Sequence, residues 1–155
     1  MKTGDKIITL FSTGFYTGYF PIAPATFSTL TLGVAGYLLI SHLNAYLYGL
    51  ITLILFFLAV WLSDESERIF SKKDCRYIVI DELVGFLITM FLLPFNWMNV
   101  VLGFLFFRFF DIVKPPPANF FNNRKRGGLD VVVDDVIAGI YSNLLLQVVY
   151  HGFLN

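Results

Sequence analysis

Ala45-Tyr46-Leu47-Tyr48-Gly49-Leu50-Ile51-Thr52-Leu53-Ile54-Leu55-Phe56-Phe57-Leu58-Ala59-Val60-Trp61-Leu62 runs eighteen residues without a charge. As a helix it would rise about 27 Å, close to the roughly 30 Å hydrocarbon thickness of a bilayer. The whole chain agrees with that reading. Of its 155 residues, 57% are hydrophobic and 14% charged, and the mean hydropathy is +0.72. Soluble domains carry roughly a quarter charged residues. An integral membrane protein of one domain, residues 1–155, is the expectation.

Four further apolar runs flank the quoted one. Phe27 to Leu43 precedes it, with Asn44 at a tight hairpin. Tyr77 to Leu93 follows and is stopped by Pro94; Trp97 to Val113 is ended by Lys114-Pro115-Pro116-Pro117. The last begins at Asp134 or Asp135 and reaches Phe153. The predicted fold is an all-α, polytopic membrane bundle of about five spans. Ile7 to Phe20, short and loosened by Gly14 and Gly18, reads as an interfacial or re-entrant segment. Ser63 to Arg76 reads as a polar loop, and Gly33, Gly36 and Gly139 would let helices approach closely. No removable signal peptide is recognisable.

Threaded this way, all 11 Lys+Arg and all 11 Asp+Glu fall on one side. Lys/Arg bias makes that side cytoplasmic, and an odd number of spans puts the C-terminus outside. The net charge of zero offers no basic tail for nucleic acid. The single Cys75 cannot form an internal disulfide, and labelling from the cytoplasm is expected to reach it.

The same threading brings Asp81-Glu82, Asp111 and Asp134-Asp135 to one depth. Five carboxylates at one rim repel each other unless positive charge joins them, from Arg108, Lys114 or a divalent cation. Each acid has an ordinary alternative: Asp134 as an N-cap, the doublets as complements to helix dipoles, Arg108 and Asp111 as an i,i+3 pair. Capping does not account for all of them sharing one rim. Oxygen-only ligands suit Mg²⁺, Mn²⁺ or Ca²⁺; His42 and His151 lie on the far side, which disfavours zinc. Acids around such a cation, beside Arg and Lys, fit phosphate chemistry. Asn123-Arg124-Lys125-Arg126-Gly127-Gly128 reads either as a solvated loop on anionic lipid heads or as a loop closing over phosphate. Most charges in 63–76 and 124–126 would orient the protein. The competing class is a membrane cation transporter or channel subunit using the same acids.

Four blocks carry a resemblance to a known family: Gly18-Tyr19-Phe20-Pro21-Ile22-Ala23-Pro24-Ala25-Thr26-Phe27, Ile78-Val79-Ile80-Asp81-Glu82-Leu83-Val84-Gly85, Phe107-Arg108-Phe109-Phe110-Asp111-Ile112-Val113-Lys114-Pro115-Pro116-Pro117, and Gly127-Gly128 through Asp134-Asp135 to Ala138-Gly139. In order and spacing they resemble the phosphatidylglycerophosphatase A family of bacterial membrane lipid phosphatases. Ala25 stands where that family has Gly, Ser28-Thr29 where it has Gly-Ser, and Asp130, read as solvated, where it has Gly.

The resemblance implies Mg²⁺-dependent hydrolysis of phosphatidylglycerol phosphate to phosphatidylglycerol and inorganic phosphate, in phospholipid biosynthesis, at the cytoplasmic face of the bacterial inner membrane. By position, Asp81, Glu82, Asp111, Asp134 and Asp135 match that family's acidic positions, and Arg108 and Lys114 its basic ones; Asp81, Asp111, Asp134 and Asp135 are then expected to be catalytic, with Asp81, Glu82, Asp134 and Asp135 holding the metal. Arg108 and Lys114 are expected to bind the substrate phosphate, and Thr26 to bond that phosphate or support its loop. The implied partners are a lipid substrate and the membrane; nucleic acid is not among them, and an oligomer is not indicated.

Overall fold

The computed structural model describes residues 3–73, 75–124 and 127–154. Those residues form seven helices and no strand: α1 (Thr3–Ser12), α2 (Pro24–Ile40, with a π-turn at Thr29–Gly33), α3 (Ala45–Phe70), α4 (Ile80–Thr89), α5 (Trp97–Val113), α6 (Ala118–Arg124) and α7 (Gly128–Val149). A π-turn, Tyr150–Leu154, prolongs α7.

The all-α expectation holds; the expectation of about five spans does not. Among the described residues two helices are long and apolar enough to cross a bilayer, Ala45–Phe70 and Gly128–Gly152. The reason is length. Residues 77–93, read as a span, supply only the ten-residue α4, about 15 Å long. Helix α2 is both short and interrupted by its π-turn, and α5 has seventeen residues.

Other boundaries moved for identifiable reasons. Helix α3 continues two turns past Leu62, because Ser63 and Ser66 are buried and Glu65 pairs with Arg68 at 2.6 Å along the helix. The run 63–70 is polar but made of residues a helix tolerates. Helix α7 starts at Gly128, so Asp134 is not an N-cap but lies two turns inside. Gly128 permits this early start: a Cβ there would sit 2.4 Å from the Val60 carbonyl oxygen. Its N–H donates to Asp64 Oδ1 at 2.6 Å, supplying an acceptor that the helix start lacks.

Helix α4 is the centre of the bundle. All its residues but Ile88 are buried, and it packs against α2, α3, α5 and α7. Beyond its acidic first turn it is almost wholly apolar, so it belongs inside. Its approach to α7 is backbone on backbone: a Cβ on Gly139 would meet the Gly85 carbonyl oxygen at 2.5 Å. Because α4 stops short, its last carbonyls need donors from neighbours. Tyr48 Oη of α3 donates to Leu87 O at 2.8 Å, and Asn143 Nδ2 of α7 donates to Thr89 O at 2.9 Å and Phe91 O at 2.8 Å.

The outside is apolar where a soluble protein would be wet. Leu47, Leu50, Ile54, Phe57 and Trp61 of α3 are exposed, as are Val101, Leu105, Phe109 and Ile112 of α5, and Leu144 and Val148 of α7. The α5 set recurs at nearly i,i+4 spacing, one continuous stripe. Apolar faces of this extent are not left to water, so the chain sits in a membrane. The segment 7–20, expected to be interfacial or re-entrant, folds as α1 and a series of turns, with Ile7, Phe11, Phe15 and Tyr16 exposed.

Candidate active site

One end of the bundle collects the charged residues. The N-terminus of α4 carries Asp81 and Glu82 in its first turn, the end of α5 carries Arg108 and Asp111, and α7 carries Asp134 and Asp135. Helix α5 stops at Lys114, whose left-handed backbone (φ 47°, ψ 62°) ends the helix before the prolines. There the Lys114 ammonium pairs with Asp134 across to α7 and lies 3.6 Å from Asp111 Oδ1. Burial alone would lower its pKa. The carboxylate and hydrogen bond of Asp134, with Asp111 and Asp135 behind, outweigh that and raise it above the usual lysine range.

Arg108 makes the second cross-link. Its Nη1 donates to Glu82 Oε2 at 2.6 Å and its Nη2 pairs with Asp111 Oδ2 at 3.0 Å, so one planar fork ties α4 to α5. Thr29, at the π-turn of α2, joins them: its hydroxyl lies 2.8 Å from Glu82 Oε2, and Arg108 Nη1 donates to it at 3.3 Å. Thr29 opens the π-turn, a feature frequent at functional sites.

In front of these links lies a polar cleft of about 320 Å³. Asp81, Glu82, Asp111, Lys114, Asp134 and Asp135 line it, with Pro24 and Ala25 from the start of α2 and Cys75 and Arg76 from the turn before α4. Asp81, Glu82, Asp134 and Asp135 are all nearly enclosed by protein. Asp135 Oδ2 is buried without a hydrogen-bond partner, and the Asp134 carboxylate is one of the negative charges that oppose ionisation of Asp81.

Six of the eight residues read from sequence therefore meet at one cleft. Arg108 stands behind it, bonded to Glu82, Asp111 and Thr29 rather than lining it. Thr26 is half-buried on α2 and does not line it; three residues on, Thr29 makes the contact instead. Sequence reading missed Thr29 and took Arg76 only as one of the charges that orient the protein. No spacing rule finds Thr29, because its partners Glu82 and Arg108 lie far along the sequence. Asp130, expected in solvent, is 2% exposed and pairs with Arg124 at 3.3 Å. Cys75 is buried at 4% exposure, so it is a poor target for labelling. In the basic loop, Lys125 and Arg126 lie outside the described residues.

Among the described residues no three acidic, histidine or cysteine side chains are grouped closely enough to hold an ion unaided. The donor set still fits Mg²⁺, an ion that keeps most of its water and takes one or two carboxylates plus substrate phosphate. Asp81 and Asp134, which both line the cleft, are such a pair of hard oxygen donors.

A family model described as phosphatidylglycerophosphatase A matches residues 10–150. The chain is 31% identical to phosphatidylglycerophosphatase A of Haemophilus influenzae over 95% of this chain and 91% of that one. It is 33% identical to phosphatidylglycerophosphatase A of Escherichia coli over 92% and 83%. A Bacteroides thetaiotaomicron protein, provisionally named phosphatidylinositol-3-phosphatase, is 35% identical over 96% of each chain. No solved structure matches the chain.

Proposed function

This chain belongs to the phosphatidylglycerophosphatase A family, and from that premise we propose that it hydrolyses phosphatidylglycerol phosphate to phosphatidylglycerol and inorganic phosphate. The observation that carries the proposal is the single cleft where α4, the end of α5 and α7 deliver Asp81, Asp111, Lys114, Asp134 and Asp135. These groups are the kinds phosphomonoester hydrolysis uses: a cation for phosphoryl oxygens, and carboxylates to hold a metal and take a proton.

In the proposed mechanism the lipid's acyl chains stay in the bilayer and its terminal phosphate enters the cleft. Lys114, oriented by Asp111 and Asp134, donates to a phosphoryl oxygen. Asp135 presents a carboxylate oxygen with no other partner and takes a proton from the attacking water. The water oxygen bonds to phosphorus as the ester P–O bond breaks, and the departing glycerol oxygen takes up the proton that Asp135 accepted, giving phosphatidylglycerol and inorganic phosphate. Asp81 and Asp134 would hold Mg²⁺, which when bound polarises the phosphoryl group. Arg108 and Glu82 are positioning residues: their pair fixes where α4 meets α5, and Thr29 braces it. Thr26 has no part in this scheme.

The membrane placement follows the same line. The charged end of the bundle lies at the cytoplasmic face of the bacterial inner membrane, and the chain passes the bilayer more than once, with the short α4 enclosed by its neighbours. The test is phosphate release by purified protein given phosphatidylglycerol phosphate and Mg²⁺. Asp81→Asn and Asp134→Asn should each abolish it while the protein stays folded. Wild-type rates in either variant would remove that residue from the mechanism. The Bacteroides relative's name makes a phosphorylated inositol lipid the natural second substrate to assay.

A further inference from the structure

We infer that Arg76 is the residue that reads the substrate's second phosphate, the phosphodiester joining the headgroup to diacylglycerol. The inference rests on the phosphatase reading above. The cleft is crowded with negative charge: Asp81, Glu82, Asp111, Asp134 and Asp135 line it. The two cations nearest them are already engaged, Arg108 by Glu82 and Asp111, and Lys114 by Asp111 and Asp134. Arg76 also lines the cleft, and among the described residues no carboxylate pairs with it. An anionic headgroup approaching this mouth meets one guanidinium whose donors pair with no carboxylate among the described residues.

The side chain is held in place, which separates it from a mobile lysine that merely touches lipid heads. Its guanidinium lies over the Tyr77 ring, 5.1 Å from the centroid, and Tyr77 is stacked on Tyr19 at 4.7 Å. The turn carrying it is pinned on two sides. Val79 N–H donates to Ser12 O at 2.9 Å, and Gly18 is packed so tightly that a Cβ there would stand 2.2 Å from Tyr77 O. The Gly18 requirement is thus explained by close approach to this turn.

Depth assigns which phosphate it meets. The reacting monoester must reach the buried carboxylates and Lys114, whereas Arg76 is exposed at the rim. The phosphodiester, a glycerol away on the lipid side, remains at that rim. Arg76 therefore favours lipids that carry both a phosphodiester and a terminal phosphomonoester over phosphatidic acid, which has only the monoester.

The experiment compares wild type with Arg76→Ala and Arg76→Gln in mixed micelles at fixed Mg²⁺. It measures kcat and KM on phosphatidylglycerol phosphate, competitive inhibition by phosphatidylglycerol, and competitive inhibition by inorganic phosphate. Losing one charged hydrogen-bonding partner should raise KM, and weaken phosphatidylglycerol inhibition, roughly 10- to 100-fold. Inhibition by inorganic phosphate and kcat should stay near wild type. Equal weakening of both inhibitors, or unchanged KM in both variants, would overturn the assignment. If wild type itself releases no phosphate from this lipid, the phosphatase reading fails instead, a separate result.

Discussion

Arg108→Lys keeps the charge and removes the fork, so it isolates what the planar guanidinium contributes. In the native site Nη1 reaches Glu82 on α4 at 2.6 Å while Nη2 reaches Asp111 on α5 at 3.0 Å, and the side chain is 11% exposed. A lysine ammonium satisfies one of these carboxylates and leaves the other without its bond. A hydrogen bond to a charged group contributes about 1.5–3 kcal/mol, so the variant should lose about 2 kcal/mol of stability. Arg108→Ala leaves both carboxylates buried and unpaired by Arg108, and breaking a buried ion pair costs about 3–5 kcal/mol. Glu82 and Asp111 face the reacting groups, so phosphate release should fall in the same order. The assay is denaturant unfolding in a defined detergent, run beside phosphate release on the same preparations. If Arg108→Lys matches wild type in both, the fork does not tie α4 to α5. If it matches Arg108→Ala, the retained charge has no value, and the electrostatic argument fails.

Gly139→Ala should cost about 1–3 kcal/mol by overpacking, since the new Cβ lands 2.5 Å from the Gly85 carbonyl; an unchanged melting temperature would mean α4 and α7 have room to separate. The Lys114 contribution has a defined pH sign. Its folded pKa is raised above the ordinary 10.5, so its stabilisation is complete below that value and is lost only as pH climbs through the raised one. Melting temperatures of wild type and Lys114→Arg, in which the charge persists at all these pH values, should keep a constant difference from pH 7 to 10; a relative decline of wild type between pH 9 and 10 would show the pair does not hold its proton. For topology, Cys75→Ser supplies the background. Lys72→Cys, exposed just past α3, should be labelled from the cytoplasm, and Tyr46→Cys, 90% exposed at the opposite end of α3, from the outside. Labelling of both from one side would contradict a spanning α3.

Helix type, and the gathering of Asp81, Glu82, Asp111, Lys114, Asp134 and Asp135, were legible because both follow from apolar run length and alternation of direction. Trp97 to about Val113 was legible, since Asn96 caps the start of α5, accepting from Met98 N–H at 2.9 Å, and Pro115 follows its end. What was not legible depended on contacts between distant segments. The polar run after Leu62 stays helical because Ser63 and Ser66 are covered by packing, which composition does not encode. Helix α4 stops at Thr89 because α3 and α7 satisfy its carbonyls, so residues 77–93 need not be one long helix. Asp130 reads as solvated until Arg124 is brought beside it. Thr29 rather than Thr26 joins the site because Glu82 of a distant helix comes within 2.8 Å of its hydroxyl.

The central claim is that the acidic cleft cleaves the terminal phosphate from phosphatidylglycerol phosphate. The most direct test incubates purified protein with that lipid in mixed micelles and counts inorganic phosphate released, with Mg²⁺, with a chelator, and with Asp81→Asn. The expected result is stoichiometric phosphate and phosphatidylglycerol with Mg²⁺, and loss of both on chelation or substitution. Folded wild-type protein that releases no phosphate from the lipid, or an Asp81→Asn variant that releases it at the wild-type rate, would contradict the account.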